Sequence, residues 1–141
     1  MLCYLPDVAS GALAPVVSPL LRFAAVPVAM PQVLAGCELV VCHAGEATVS
    51  QSLLAGRPLL LLPSTLESLL MARRVAQQGM GINAMAAPGP QDWDALVSDL
   101  LGKPGYRDAA RDFARRHAGF DAASQGEALA DRFEEMLLTR P

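Results

Sequence analysis

Two uninterrupted apolar runs constrain this chain more than any other feature. Leu39-Val40-Val41-Cys42 ends at His43-Ala44-Gly45-Glu46-Ala47-Thr48, and Pro58-Leu59-Leu60-Leu61-Leu62 ends at Pro63. Neither run alternates apolar with polar residues, so neither suits a strand with one face in water. Continuous runs of this length suit parallel strands covered on both faces. Between them the pattern turns helical from Val49 to Ala55 and stops at Gly56, and another helical pattern starts near Leu66. Strand, tight turn, helix, strand, turn, helix is the order of an α/β domain. Residues 38–72 therefore predict a Rossmann-like, three-layer α/β/α parallel sheet. Ligands of such sheets sit beyond the carboxyl ends of the strands, where residues 43–51 and the pair Glu67-Ser68 fall.

The first of these corners has the makings of an anion site. Gly45 lets the backbone approach a ligand closely. The free N–H groups of the following helix start there, and the helix dipole favours negative charge. Thr48 adds a hydroxyl, and His43, leaving the strand end, can donate a ring N–H to a phosphate oxygen. The plain alternative is a capped helix beside an ordinary histidine.

The flanking sequence extends this plan. Met1 to Leu5 reads as a short strand ended by Pro6, and Leu20 to Val28 as another. Pro15 and Pro19 argue against a long helix between them, so the crossover is barely long enough for a parallel pair. Residues 1–19 are thus an abbreviated or incomplete first unit, and the expectation is that the natural protein has residues this chain lacks. Met30 to Gly36 forms a short helix with Leu34 in the core. The segment from Leu66 to Gln78 is a helix whose apolar face is Leu66, Leu69, Leu70, Ala72 and Val75, with Arg73 and Arg74 towards its carboxyl end. Gly79-Met80-Gly81 turns into a strand from Ile82 to Met85. The tail is helical: Gln91 to Leu101, with Trp93 as a core contact, then Pro104 to Ala118 and Ala122 to Leu138, the last packing through Ala128, Leu129, Phe133 and Leu137. Mixed charges on the middle of these three suggest a solvated face laced by i, i+4 pairs.

Composition narrows the function. A chain of 141 residues is one domain by size, and 52% apolar residues with a net charge of −3 exclude an acidic disordered chain and offer no basic field for nucleic acid. Basic residues are arginine except Lys103, which reads as a GC-rich bacterial coding bias. Cys3, Cys37 and Cys42 are odd in number and lack a CxxC spacing, which suits a reducing, cytoplasmic setting. Cys42 points away from His43 and belongs to the core. No stretch has the length and continuity to span a bilayer, and with no charged segment at the start no secretion signal is expected. No cluster of histidine, cysteine or carboxylate has metal-ligand spacing.

The combination His43-x-Gly45-x-x-Thr48, Gly56-x-Pro58, then Pro63 and Glu67 followed by Ala72-Arg73-Arg74-Val75, resembles the carboxyl-terminal half of GT-B glycosyltransferases. The likeness is to nucleotide-sugar-dependent enzymes that glycosylate lipids and natural products. It implies that His43 and Thr48, with the backbone of Gly45, Glu46, Ala47 and Thr48, hold the diphosphate of a UDP- or dTDP-linked sugar. Gln51 stands where relatives carry a glutamate for the ribose hydroxyls. Glu67 stands at the acidic position that contacts donor-sugar hydroxyls, and Ser68 where a glutamine is common. Pro31 and Gln32 lie in the segment beside the base.

The same resemblance implies that acceptor binding, and commonly the general base, belong to a separate amino-terminal domain. No catalytic residue is assigned here, no essential metal or other cofactor is expected, and the chain alone is expected to bind nucleotide weakly and turn over little. One alternative is a non-catalytic donor-binding subunit with a separate, membrane-bound partner for the acceptor, which an exposed apolar face near the amino terminus would favour. Others are an epimerase-like hydrolytic domain, for which the cleft carboxylates and histidines are missing, and a doubly wound domain with no ligand.

Overall fold

The computed structural model describes residues 1–138. Its elements run β1 (Leu2–Cys3), α1 (Pro6–Ala9), β2 (Arg22–Phe23), α2 (Met30–Gly36), β3 (Val40–Cys42), α3 (Glu46–Leu54), β4 (Leu59–Leu61), α4 (Leu66–Gln77), β5 (Gly81–Asn83), α5 (Trp93–Gly102), α6 (Pro104–Arg116) and α7 (Ala122–Leu138). Residues 139–141, the end of the expected helical tail, lie outside the described residues.

β3, β4 and β5 form a parallel sheet in that order, with Val40, Val41 and Cys42 opposite Leu59, Leu60 and Leu61, and these in turn opposite Gly81, Ile82 and Asn83. The central position of β4 explains its composition. Leu59 and Leu61 enter a cluster with Ala44, Val49, Leu53, Ala72, Val75, Met80 and Ala110, from the layer of α3, α4 and α6. Leu60 faces the opposite way, into Ala84 and Leu100, with Leu96, Val97 and Tyr106 around them. Helices therefore cover β4 on both faces, and the three-layer α/β/α reading holds for this sheet. Each such buried leucine contributes about 1.5–3 kcal/mol by leaving water. Gly81 is required by close approach: a Cβ there would lie 2.3 Å from the Leu59 carbonyl oxygen.

Several expectations need correction. β1 and β2 pair in parallel, Leu2 with Arg22 and Cys3 with Phe23, but form a separate two-stranded sheet rather than joining the main one. The proline-broken crossover between them holds only the single turn of α1, and β2 is far shorter than Leu20–Val28. β3 is an edge strand of its sheet, so Val41 is 45% exposed despite its place in a continuous apolar run.

In α4 the face turned inwards is Ser68, Ala72 and Val75. These repeat at i, i+4 and i+7, whereas Leu66, Leu69 and Leu70 share the opposite side and are exposed. Trp93 is about half exposed rather than a core contact. The range of α7 is as expected, but its packing is not. Ala128, Leu129, Phe133 and Leu137 all face solvent, so its apolar stripe has no place in the core of this chain.

Candidate functional site

β3 ends at Cys42, and the chain then reverses direction within three residues. Ala44 makes this possible by adopting a left-handed conformation, φ +60°, while its methyl group is buried in the core at 2% exposure. An L-residue in this region costs about 1–2 kcal/mol relative to right-handed backbone, and burial of the methyl group offsets part of that. The corner fixes which side each neighbour takes. Cys42 stays half-buried against the α3–α4 cluster, while His43 is exposed. Burial pushes the Cys42 thiol above its ordinary range, opposed in part by the Ala44 N–H. A protonated, half-buried thiol is a packing group rather than a nucleophile.

α3 begins at Glu46, three residues ahead of the expected Val49. The cause is that the corner closes at Ala44, so Gly45 already serves as N-cap with extended backbone, φ −68° and ψ 137°, and no side chain caps the helix. The first intrahelical bond is Val49 N–H to the Gly45 carbonyl at 3.0 Å. The N–H groups of Glu46, Ala47 and Thr48 consequently point out of the helix end without an intrahelical acceptor. Gly45 itself is exposed, and nothing lies within 4 Å of where its Cβ would be.

The His43 ring is held. Its Nδ1 lies 3.2 Å from the carbonyl oxygen of Leu62, the residue after β4, so the ring bridges the carboxyl ends of two adjacent strands. A carbonyl only accepts, so Nδ1 carries the proton in this contact and Nε2 is the atom left for a ligand.

α4 starts at the neighbouring strand end but is built differently. The Thr65 hydroxyl accepts from the Ser68 N–H at 3.2 Å, and the Ser68 hydroxyl accepts from the N–H groups of Ser64 at 3.1 Å and Thr65 at 3.0 Å. It also lies 3.0 Å from the Thr65 carbonyl, to which it can donate. This reciprocal capping leaves Ser68 8% exposed. Ser68 thus closes a helix end rather than standing in the open beside Glu67, which is exposed in the first turn.

The structure therefore gathers His43, Gly45, Glu46, Ala47 and Thr48 at one open corner. Gln51 is exposed one turn further along α3 and shares with Pro31 a groove of about 420 Å³, otherwise lined by Leu34, Ala35, Leu54, Ala55 and Arg57. Gln32 is exposed on α2 but does not line this groove. A larger hollow, about 510 Å³, lies apart from the corner, between Gln78 and Met80 and the Ala109, Asp112, Arg115 and Arg116 side of α6.

Three contributors escaped the sequence reading: the Leu62 carbonyl that orients the histidine, the left-handed Ala44, and Arg57. The guanidinium of Arg57 donates to the Ala35 carbonyl at 3.2 Å, tying α2 to the loop after α3, while its Nε is buried without a hydrogen-bond partner. A glycine at 44 would have signalled the turn, whereas an alanine does not. Among the described residues no three histidine, cysteine or carboxylate side chains cluster as a metal site, and no helix is long and apolar enough to cross a membrane.

No family model matches the chain. Among curated proteins it is 35% identical over 82 residues to the elloramycin glycosyltransferase ElmGT of Streptomyces olivaceus, a match covering 58% of this chain and 20% of that protein. Among solved structures it is similar to the spinosyn rhamnosyltransferase SpnG, with a TM-score of 0.73 at 24% identity, over 92% of this chain and 36% of that one. SpnG complexed with thymidine diphosphate matches at 0.72 and 23% identity, over 94% and 35%. The glycosyltransferase VinC in complex with dTDP matches at 0.73 and 18%, over 92% and 33%. The chain spans about a fifth of its curated relative's length and about a third of these structures. Its fold is that of the carboxyl-terminal half of a GT-B glycosyltransferase.

Proposed function

We propose that this chain is the donor-binding half of a glycosyltransferase, and that the corner between β3 and α3 grips the diphosphate of a nucleotide-activated sugar. The observation that carries the reading is the uncapped start of α3 directly beyond a parallel strand, with the exposed His43 two residues before the N-cap contacting the Leu62 carbonyl through Nδ1. Three outward N–H groups and a helix dipole form an anion site without a metal ion, so no essential cation is proposed. Gln51, one turn on, lies at the right remove along the helix to reach a ribose hydroxyl. Glu67 contacts the sugar, whereas Ser68 supports the helix that carries Glu67. The base is uracil or thymine, and the relatives solved with thymidine diphosphate favour the second.

Transfer also needs an aligned acceptor hydroxyl and a base to take its proton. No residue of the corner has that role in this proposal, so the acceptor side and the base come from a further domain or subunit. The chain alone binds donor and transfers little or nothing.

The test is calorimetric titration of UDP and dTDP into the wild-type chain and His43→Ala. Saturable binding weakened about tenfold or more in the variant supports the proposal, since a charge-assisted hydrogen bond contributes about 1.5–3 kcal/mol. Heats no different from dilution for both nucleotides would remove it.

A second reading, in which the acceptor-binding half is a separate polypeptide, is favoured by the apolar residues exposed near the amino terminus. Val17 is 98% exposed and Leu20 77%, with Leu13 and Val16 also open to solvent. A coding sequence for such a half beside this one, and co-purification of the two products, would support it. Co-expressed chains that never associate would sink it.

A further inference from the structure

We infer that the open edge of β3 is the seat of one further parallel strand, apolar on both faces, from a stretch of the natural polypeptide that precedes β1. β3 pairs with β4 on one side and, among the described residues, with nothing on the other. The Val40 N–H donates to the Pro58 carbonyl at 3.0 Å, and the Cys42 carbonyl accepts from the Leu62 N–H at 2.9 Å. Successive residues of a strand aim their backbone groups at opposite neighbours, so the N–H and carbonyl of Val41 point to the open edge. The Val41 side chain stands opposite Leu60. On that face α5 covers β4 and β5, and Leu60 is 2% exposed where Val41 is 45%.

β3 also lacks the features that blunt an edge. Strands that end a sheet in water commonly carry a charge, a proline or a bulge. Leu39-Val40-Val41-Cys42 holds no charge and no proline, and its register with β4 runs without a bulge. β5, at the other edge, is Gly81-Ile82-Asn83, with a glycine and a polar side chain.

The crossovers identify the strand that belongs there. α2 carries the chain from β2 to β3 and packs on α3, the helix that carries it from β3 to β4. Right-handed crossovers with both helices on one face step across a parallel sheet in the same direction. β2 therefore lies beyond the open edge of β3, yet the two are not paired. β1 flanks β2 and has an open edge of its own. The Met1 and Cys3 carbonyls accept from the Arg22 and Ala24 N–H groups at 2.9 and 2.8 Å, which turns the backbone of Leu2 away from β2. In a doubly wound sheet the strands on this side run third, second, first towards the switch point. With β2 third and β1 second, the strand against β3 is the first, so it precedes β1. Paired at both edges, it joins the two sheets into one and needs an apolar composition like that of β4.

The experiment extends the whole chain ahead of Met1 with a probe strand, Thr-Val-Ile-Val-Thr, on a glycine-serine linker of about 14 residues, long enough for a parallel crossover. A second fusion has glycine and serine in place of the strand. Amide hydrogen exchange by NMR reads Val41 against Val40, whose N–H is already bonded towards β4. In the unextended monomer Val41 should exchange at least about tenfold faster than Val40. The probe strand should slow Val41 by at least about tenfold and raise the urea midpoint, and the glycine-serine fusion should do neither. If the fusion does not fold, the strand is titrated in as a peptide flanked by lysines and the same amide is read. Val41 exchange that the probe leaves unchanged in the folded chain overturns the inference. A slow Val41 amide in the unextended monomer also overturns it, by placing β1 itself on β3. Slowing that appears only as the chain is concentrated overturns it too, by making a second copy the occupant. A natural polypeptide that begins at Met1 would overturn the assignment to a preceding stretch. None of these outcomes touches the nucleotide titrations, which read the donor site separately.

Discussion

Ala44 sets the geometry on which the site depends. Its left-handed backbone turns the chain away from β3, and its buried methyl locks that turn to the core. Ala44→Val adds bulk to a buried position and a β-branch where the left-handed region tolerates it least. A loss of about 2–3 kcal/mol in denaturant unfolding is expected, with donor binding lost at protein concentrations where the fold survives. Gly81 is the parallel case inside the sheet. Its Cβ would strike the Leu59 carbonyl rather than a yielding side chain, so Gly81→Ala should cost about 3 kcal/mol or abolish folding, read by circular dichroism and urea titration. Of the site residues, His43 and Gly45 were legible from the sequence because a strand-ending histidine and a glycine before a helix each carry a local meaning. The partner of His43 was not, because Leu62 is distant in sequence and acts through its backbone, which every residue has.

At the level of elements, α3 and α4 start at adjacent strand ends and treat their first N–H groups in opposite ways. α4 caps the Ser68 N–H with the Thr65 hydroxyl and ties the preceding N–H groups of Ser64 and Thr65 to the Ser68 hydroxyl, whereas α3 starts behind a glycine with no side-chain cap. Ser68→Ala should therefore cost about 1 kcal/mol of stability while changing nucleotide affinity by less than about twofold. An equal or greater loss of affinity than of stability would mean that Ser68 meets the sugar directly. Of the face expected for α4, Ala72 and Val75 are buried but Leu66, Leu69 and Leu70 are not, because these three form a stripe as regular as the true one. Periodicity finds a face, but the element packed against it decides which face is inside. α7 adds a pH-dependent end. Asp121 accepts from the N–H groups of Ala123 and Ser124, and its carboxyl is held below the ordinary value, first by the hydroxyl of Ser124 and then by these backbone bonds. A depressed carboxyl stabilises above its unfolded value and loses that contribution as pH falls through the folded one. Amide protection in the first turn of α7 should thus fall in acid, and Asp121→Ala should remove the dependence.

For the molecule as a whole, the core lies in the three-stranded sheet with α3 to α6, and both ends of the chain contribute little to it. Every side chain described from residue 123 to 138 is exposed. Deletion of residues 122–141 should accordingly shift the melting temperature of the remaining body by less than about 2 °C, and a larger fall would place α7 on the core in solution. The exposed leucines of α4, the apolar amino-terminal segment and the stripe of α7 all fit a chain that covers a third of its solved relatives.

Local pattern alone determined the parallel α/β plan, the order of the elements around residues 38–72 and the placing of candidate groups at strand ends, because these follow from short-range periodicity and turn chemistry. Tertiary structure alone decided that β1 and β2 stand apart, that Ser68 is a cap, and that the imidazole of His43 is committed at one nitrogen. Those outcomes depend on which surfaces meet across the sheet, and a carbonyl or an uncovered helix face has no signature in one dimension.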